Sequence, residues 1–238
     1  MSQHTNVYGQ PVGFPLPDWQ PRAWPEYETF SGDYCRLEPL SADRHGRELF
    51  AAYAQAADGR DWTYMFAEPF ADEAAYVAYA RQLENGRDPL HFAVIDPASN
   101  RAVGSLALMR IDATHGSIEV GHVAFSPLLK QTRMATEAHY LLMRYAFENL
   151  GYRRYEWKCD SCNQPSRNAA QRLGFQFEGT FRQAIVYKGR SRDTCWFSII
   201  DSEWPQVKQG FERWLAAENF TEQGAQRERL EALHVKRK

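Results

Sequence analysis

The chain has 238 residues, 44% of them hydrophobic and 24% charged, which is the composition of one soluble globular domain with appendages. A formal net charge of −2 argues against a surface built for nucleic acid or an anionic membrane. Cys35, Cys159, Cys162 and Cys195 are too scattered for a disulfide framework; no apolar run and no basic-then-apolar leader stands out, so a cytoplasmic protein is expected.

Residues 1–32 are rich in proline and aromatics (GQPVGFPLPDWQPRAWPEYETF). Proline fixes φ and removes a donor, so an extended, polyproline-like extension is expected, with Trp19 and Trp24 packed on the domain or a second subunit. That allows a homodimer. The domain is expected over 33–218. DYCRLEPL reads as a short strand, and Ser41 caps a helix over SADRHGRELFAAYAQA. DEAAYVAYARQLENG is a second helix, closed by Asn85 and Gly86. Three strand-like runs follow, LHFAVID, AVGSLALMRID and GSIEVGHVAFS, parted by the turns PASN and ATHG. A long helix, ATEAHYLLMRYAFENLG, opens at about Thr136 and stops at Gly151. Then come a strand (YRRYEWKC), a helix with Pro165 in its first turn, two strands (FQFEGTFRQAIVY and RDTCWFSIID) and a last helix, EWPQVKQGFERWLAAENF. Residues 219–238 read as a charged tail, helical in part.

Consecutive strands imply antiparallel pairing in the first half, and helical crossovers imply parallel pairing in the second. The expected class is α/β (α+β) with a mixed sheet. Between meander and crossovers lies SPLLKQTRMATEA, with Lys130 and Arg133 just ahead of the long helix. A helix N-terminus offers unpaired N–H groups and partial positive charge, so two added cations suit a phosphate. The glycines of a phosphate loop are absent, and on spacing alone a plain connection is the commoner reading.

The stretch from Asn163 to Gly179 carries N-x-x-S-x-x-A-A-x-R-L-G-F-x-x-E-G, formed by Asn163, Ser166, Ala169, Ala170, Arg172, Leu173, Gly174, Phe175, Glu178 and Gly179. With IEVGHVAFSP and the TEA of the long helix, it resembles the GNAT superfamily of N-acetyltransferases, in particular the ribosomal-protein alanine N-acetyltransferase branch. The resemblance spans roughly residues 33–201. It implies a mixed, mostly antiparallel sheet with helices on both faces. It also implies acetyl-CoA as co-substrate, no metal, and an amine acceptor that is a protein N-terminus or a small molecule.

Carried over position by position, the resemblance makes Lys130, Gln131, Thr132, Arg133, Met134 and Ala135, with Thr136, the pyrophosphate loop. Arg133 stands where the family has glycine, so its side chain must point outward and can grip phosphate with its fork. The backbone at His122, Val123, Ala124 and Phe125 would hold the thioester carbonyl and the pantetheine arm. Asn163 and Ser166 would lie near pantetheine and sulfur. Ala170 replaces the tyrosine that many members use to protonate the thiolate, leaving water or Ser166 for that step. The general base stays open between Glu119 and His122; three apart on one strand, they should face opposite sides. Glu137 reads as a first-turn carboxylate favoured by the helix dipole. Trp62, Tyr64, Phe66 and Glu68 would border the acceptor cleft, and Arg190 and Arg192 could edge it. Cys159 and Cys162 read as a coincidental pair rather than a redox or zinc motif. A catalytically inactive acyl-CoA-binding or scaffold relative is the alternative.

Overall fold

The computed structural model describes residues 4–234. A two-residue hairpin, β1 (His4–Thr5) with β2 (Pro11–Val12), starts the N-terminal arm. β3 (Phe30–Ser31) and β4 (Arg36–Pro39) lead to helices α1 (Ala42–Tyr53) and α2 (Glu73–Leu83). The meander is β5 (Leu90–Asp96), β6 (Arg101–Asp112) and β7 (Ser117–Phe125). Helix α3 (Arg133–Arg144) crosses to β8 (Arg154–Asp160), and α4 (Gln164–Arg172) crosses to β9 (Gln176–Tyr187). β10 (Arg190–Ile200), α5 (Trp204–Leu215) and a short α6 (Leu230–Leu233) follow.

Strand β5 explains the layering. Its alternate side chains enter different cores: Leu90, Phe92 and Val94 join the large cluster with α3 and α5, whereas Ala93 and Ile95 join the smaller cluster with α1 and α2. A strand buried on both faces needs helices on both sides, which is why LHFAVID reads as a continuous apolar run.

The eight-stranded sheet has the order β3-β4-β5-β6-β7-β8-β10-β9. It corrects one expectation. Only β7 and β8 pair as parallel neighbours among the described strands, because β10 inserts between β8 and β9 and pairs antiparallel with both. A crossover helix sets strand direction, not adjacency.

A second correction concerns α3. Thr132 is its N-cap, with Oγ1 accepting from Ala135 N at 3.2 Å, so the helix opens three residues before Thr136. Glu137 therefore lies beyond the first turn. Its buried carboxylate accepts the backbone N–H groups of Asp33, Tyr34 and Cys35 at 2.7–2.8 Å, fastening the β3–β4 turn to α3.

The arm before β3 runs over the domain: Trp19 Nε1 donates to Thr114 O, Glu26 N to Tyr145 Oη and Tyr27 Oη to Gly86 O. The C-terminal segment folds back through Asn219, whose side chain bonds Trp214 O, Glu228 O and Glu228 N. Residues 235–238 of the expected tail lie outside the described residues. Among those described, no helix is long and apolar enough to cross a membrane.

Candidate active-site cleft

The cleft begins where β7 and β8 part company. Their pairing stops at Val120 opposite Trp157, and beyond it β7 continues to Phe125 with its β8-facing edge unpaired. Backbone N–H and C=O groups on such an edge need partners. A cavity of about 1350 Å³ follows this opening, from the N-terminus of α3 to the loop between α1 and α2.

β7 carries a bulge. Ser105 pairs with Ala124 but Ala107 pairs with Gly121, so His122 and Val123 of β7 stand opposite Leu106 of β6 alone, and His122 takes φ 49°. The extra residue breaks the two-residue alternation. The expectation that Glu119 and His122 face opposite sides is thereby overturned: both line the cavity. Gln131, in the turn before α3, also has positive φ (61°).

The Thr132 cap engages Ala135 N, which leaves the other first-turn N–H groups of α3 for another acceptor. Around them the cations are held by the protein itself. Lys130 pairs with Asp61 at 2.5 Å. The Arg133 guanidinium lies 3.5 Å from the Phe220 ring centroid and 5.2 Å from that of Tyr34, so the side chain at the family's glycine position is laid aside and backbone approach stays open. Arg172 donates to Thr136 Oγ1 at 3.1 Å and stacks on Trp214; burial lowers its pKa.

At the other end, Glu119 is 5% exposed and pairs with Lys158 at 2.8 Å and Arg110 at 3.3 Å. Desolvation raises its pKa even against these cations. Lys158 also binds Glu156 at 2.6 Å and sits over the Trp196 ring. His122 is edge-on to His91, ring centroids 5.0 Å apart. Burial lowers the pKa of His122 and pushes that of His91 to about 3, so both rings are neutral near pH 7.

Asn163 caps α4 through Ser166 N at 3.1 Å, and Trp157 Nε1 donates to Ser166 Oγ at 3.0 Å. An indole N–H can only donate, so Ser166 accepts there, and its hydroxyl also hydrogen-bonds the Cys159 side chain. Ala170, at the tyrosine position, is fully buried. Cys159 is buried with its thiol pushed up to about 11, Cys162 is exposed, and both are free thiols.

Of the residues expected to bind coenzyme, Val123, Ala124, Phe125, Lys130, Gln131, Thr132, Arg133, Ala135, Thr136, Asn163 and Ser166 line the cavity; Met134 does not and packs on the core instead. Trp62 and Tyr64 line the acceptor end, whereas Glu68 lies outside the lining and pairs with Lys188 at 3.0 Å. Reading by sequence missed Lys158, His139, Arg172 and the C-terminal Phe220 and Gln226, which also line it. The alternation E-W-K in β8 was the available signal for Lys158. Phe220 and Gln226 gave none, because a fold-back is a long-range event.

The sheet thus splits at its parallel pair, with a helix N-terminus at one end of the opening and a buried polar cluster at the other. Residues 35–176 match the model of the acetyltransferase (GNAT) domain, and the chain belongs to that family. It is similar to a GCN5-related N-acetyltransferase of Brucella melitensis, with 49% identity, TM-score 0.90, and coverage of 92% of this chain and 99% of that one. It is 28% identical over 105 residues to a candidate ribosomal N-acetyltransferase of Bacillus subtilis (strain 168), covering 44% of this chain and 57% of the relative. It shares its fold with a microcin C7 self-immunity acetyltransferase solved with acetyl-CoA and AMP, at 20% identity, TM-score 0.59, and coverage of 71% and 93%.

Proposed function

We propose that this cleft binds acetyl-CoA and transfers its acetyl group directly to a primary amine. The observation that carries the reading is the splay: an unpaired strand edge leads from uncapped helix N–H groups to a buried acid–base cluster inside one cavity. An amide-bearing pantetheine arm can complete the β7 edge as a strand would. The diphosphate would lie at the α3 N-terminus, where N–H groups and the dipole favour anions.

Transfer is one substitution at the thioester carbonyl. The amine lone pair attacks the carbonyl carbon, C–N forms as C–S breaks, and the electron pair of C–S leaves on sulfur. Nitrogen gives up a proton to Glu119, through water, or to neutral His122. Ser166 or water would return a proton to the thiolate. Backbone N–H groups past the His122 bulge would polarise the carbonyl oxygen. The chemistry needs no nucleophile on the protein, and Cys159, buried and protonated, is unsuited to serve as one.

The test is to incubate the protein with acetyl-CoA and primary amines, following free thiol and acetylated amine together. Equal release of both is expected; thiol without acetylated amine would contradict amine transfer.

A further inference from the structure

Among the described residues that line the acceptor end of the cleft, Arg192 is a cation without an ion-pair partner. Arg192 on β10 is 8% exposed and lines the cavity. Among the described residues its side chain forms no ion pair and one hydrogen bond, from Nε to Thr194 Oγ1 at 3.2 Å. Tyr187 and Phe66 flank it, with ring centroids 5.7 and 5.9 Å away. A buried guanidinium is costly unless paired. The carboxylates lining the cavity are engaged elsewhere: Glu119 with Lys158, and Asp160 with Tyr187 Oη and Cys162 N, both at 2.8 Å. Thr194, two residues along, pairs with Asp160, three residues past the point where β7 leaves β8. Arg192 thus borders the opened strands from the far side.

The same end is roofed. Tyr64 Oη donates to Cys162 O at 3.1 Å, tying the α1–α2 loop to the turn before α4. Lys188 Nζ donates to Trp62 O and Ala67 O at 2.8 and 2.9 Å, and Arg190 donates to Thr63 O, tying that loop to the β9–β10 hairpin. These ties hold the α1–α2 loop against the acceptor end, which favours a small acceptor over a polypeptide.

We propose that Arg192 is the specificity determinant for a small amine that also carries a carboxylate, of the free amino-acid class, gripped by the planar guanidinium fork. The proposal rests on reading the cleft as an acetyl-transfer site. In the transfer, the acceptor's nitrogen forms the new C–N bond and loses one proton, while its carboxylate stays unchanged.

The test compares kcat/KM for the free amino acids with that for their carboxamides, which keep the amine and lose the carboxylate. It uses wild type, Arg192→Ala and Arg192→Lys, with acetyl-CoA affinity measured by calorimetry in each. Wild type should prefer at least one amino acid over its amide by about tenfold or more, since a site built for a polar group rejects the analogue lacking it. Arg192→Ala should erase that preference with acetyl-CoA affinity unchanged, and Arg192→Lys should keep part of it. Equal use of amides, a preference that survives in Arg192→Ala, or acetyl-CoA affinity lost with Arg192 would each overturn the proposal. So would a stronger preference for acidic peptide N-termini. Failure of wild type to bind acetyl-CoA would instead remove the acetyl-transfer reading beneath it.

Discussion

Glu119 and His122 face the same cavity because one extra residue in β7 turns His122 back toward it. The two differ in what holds their protons. Burial raises the pKa of Glu119 above the ordinary carboxylate range and lowers that of His122 below the ordinary histidine range. A base works only when deprotonated, so activity falls as pH drops through its pKa. The two shifts bring those limits toward each other, and the wild-type profile alone will not separate them. In Glu119→Gln or His122→Ala, whichever residue is the base should lose about 10²-fold or more in kcat/KM together with the acidic limb, the other variant keeping it. Retention of the limb in both variants would rule out both residues. At this scale the sequence supplied the residue types but not their facing, since a bulge without glycine leaves no pattern to read. Lys158 and Arg192 show the same limit from another side: their importance lies in which partners they have or lack, a property of packed strands.

Helix α3 links the domain's halves. Its N-terminus forms the mouth of the cleft, and Glu137 on its buried side closes the β3–β4 turn through three backbone N–H groups. Removing that carboxylate leaves three donors without acceptors in a buried place, a cost on the order of 3 kcal/mol. Glu137→Ala should therefore lower the denaturant midpoint by that equivalent with an unchanged m-value, and Glu137→Gln by less. A loss below about 1 kcal/mol in Glu137→Ala would show that water replaces the carboxylate. The helix was legible in sequence through its apolar spacing, but its start was not. T-E-A looks like an opening turn, whereas Thr132 provides the cap and lets Arg133 and Met134 enter the helix. Strand existence was read well for the same reason: LHFAVID and its neighbours state their burial in composition. Strand order was not, because β10 enters between β8 and β9 through tertiary pairing alone.

Across the whole molecule, the domain supplies the split sheet and both terminal segments are drawn onto it. The N-terminal arm is hydrogen-bonded to the loop before β7 and to the end of α3. The C-terminal fold-back brings Phe220 beneath Arg133 and Gln226 against Trp214 at the α3 end of the cleft. Composition marked both segments as distinct; where they return is fixed by contacts far apart in the chain. The family was legible because N-x-x-S and R-L-G-F fall on one helix and its stop, a local pattern with local meaning. The proposed function requires the cleft to hold acetyl-CoA through the diphosphate at α3. Calorimetric titration with acetyl-CoA, set beside S-acetylpantetheine, which lacks the diphosphate and the nucleotide beyond it, tests it most directly. Acetyl-CoA should bind with a dissociation constant of about micromolar order, and S-acetylpantetheine about a hundredfold or more weaker, roughly 2.7 kcal/mol. Equal affinities, or no binding of acetyl-CoA, would contradict it.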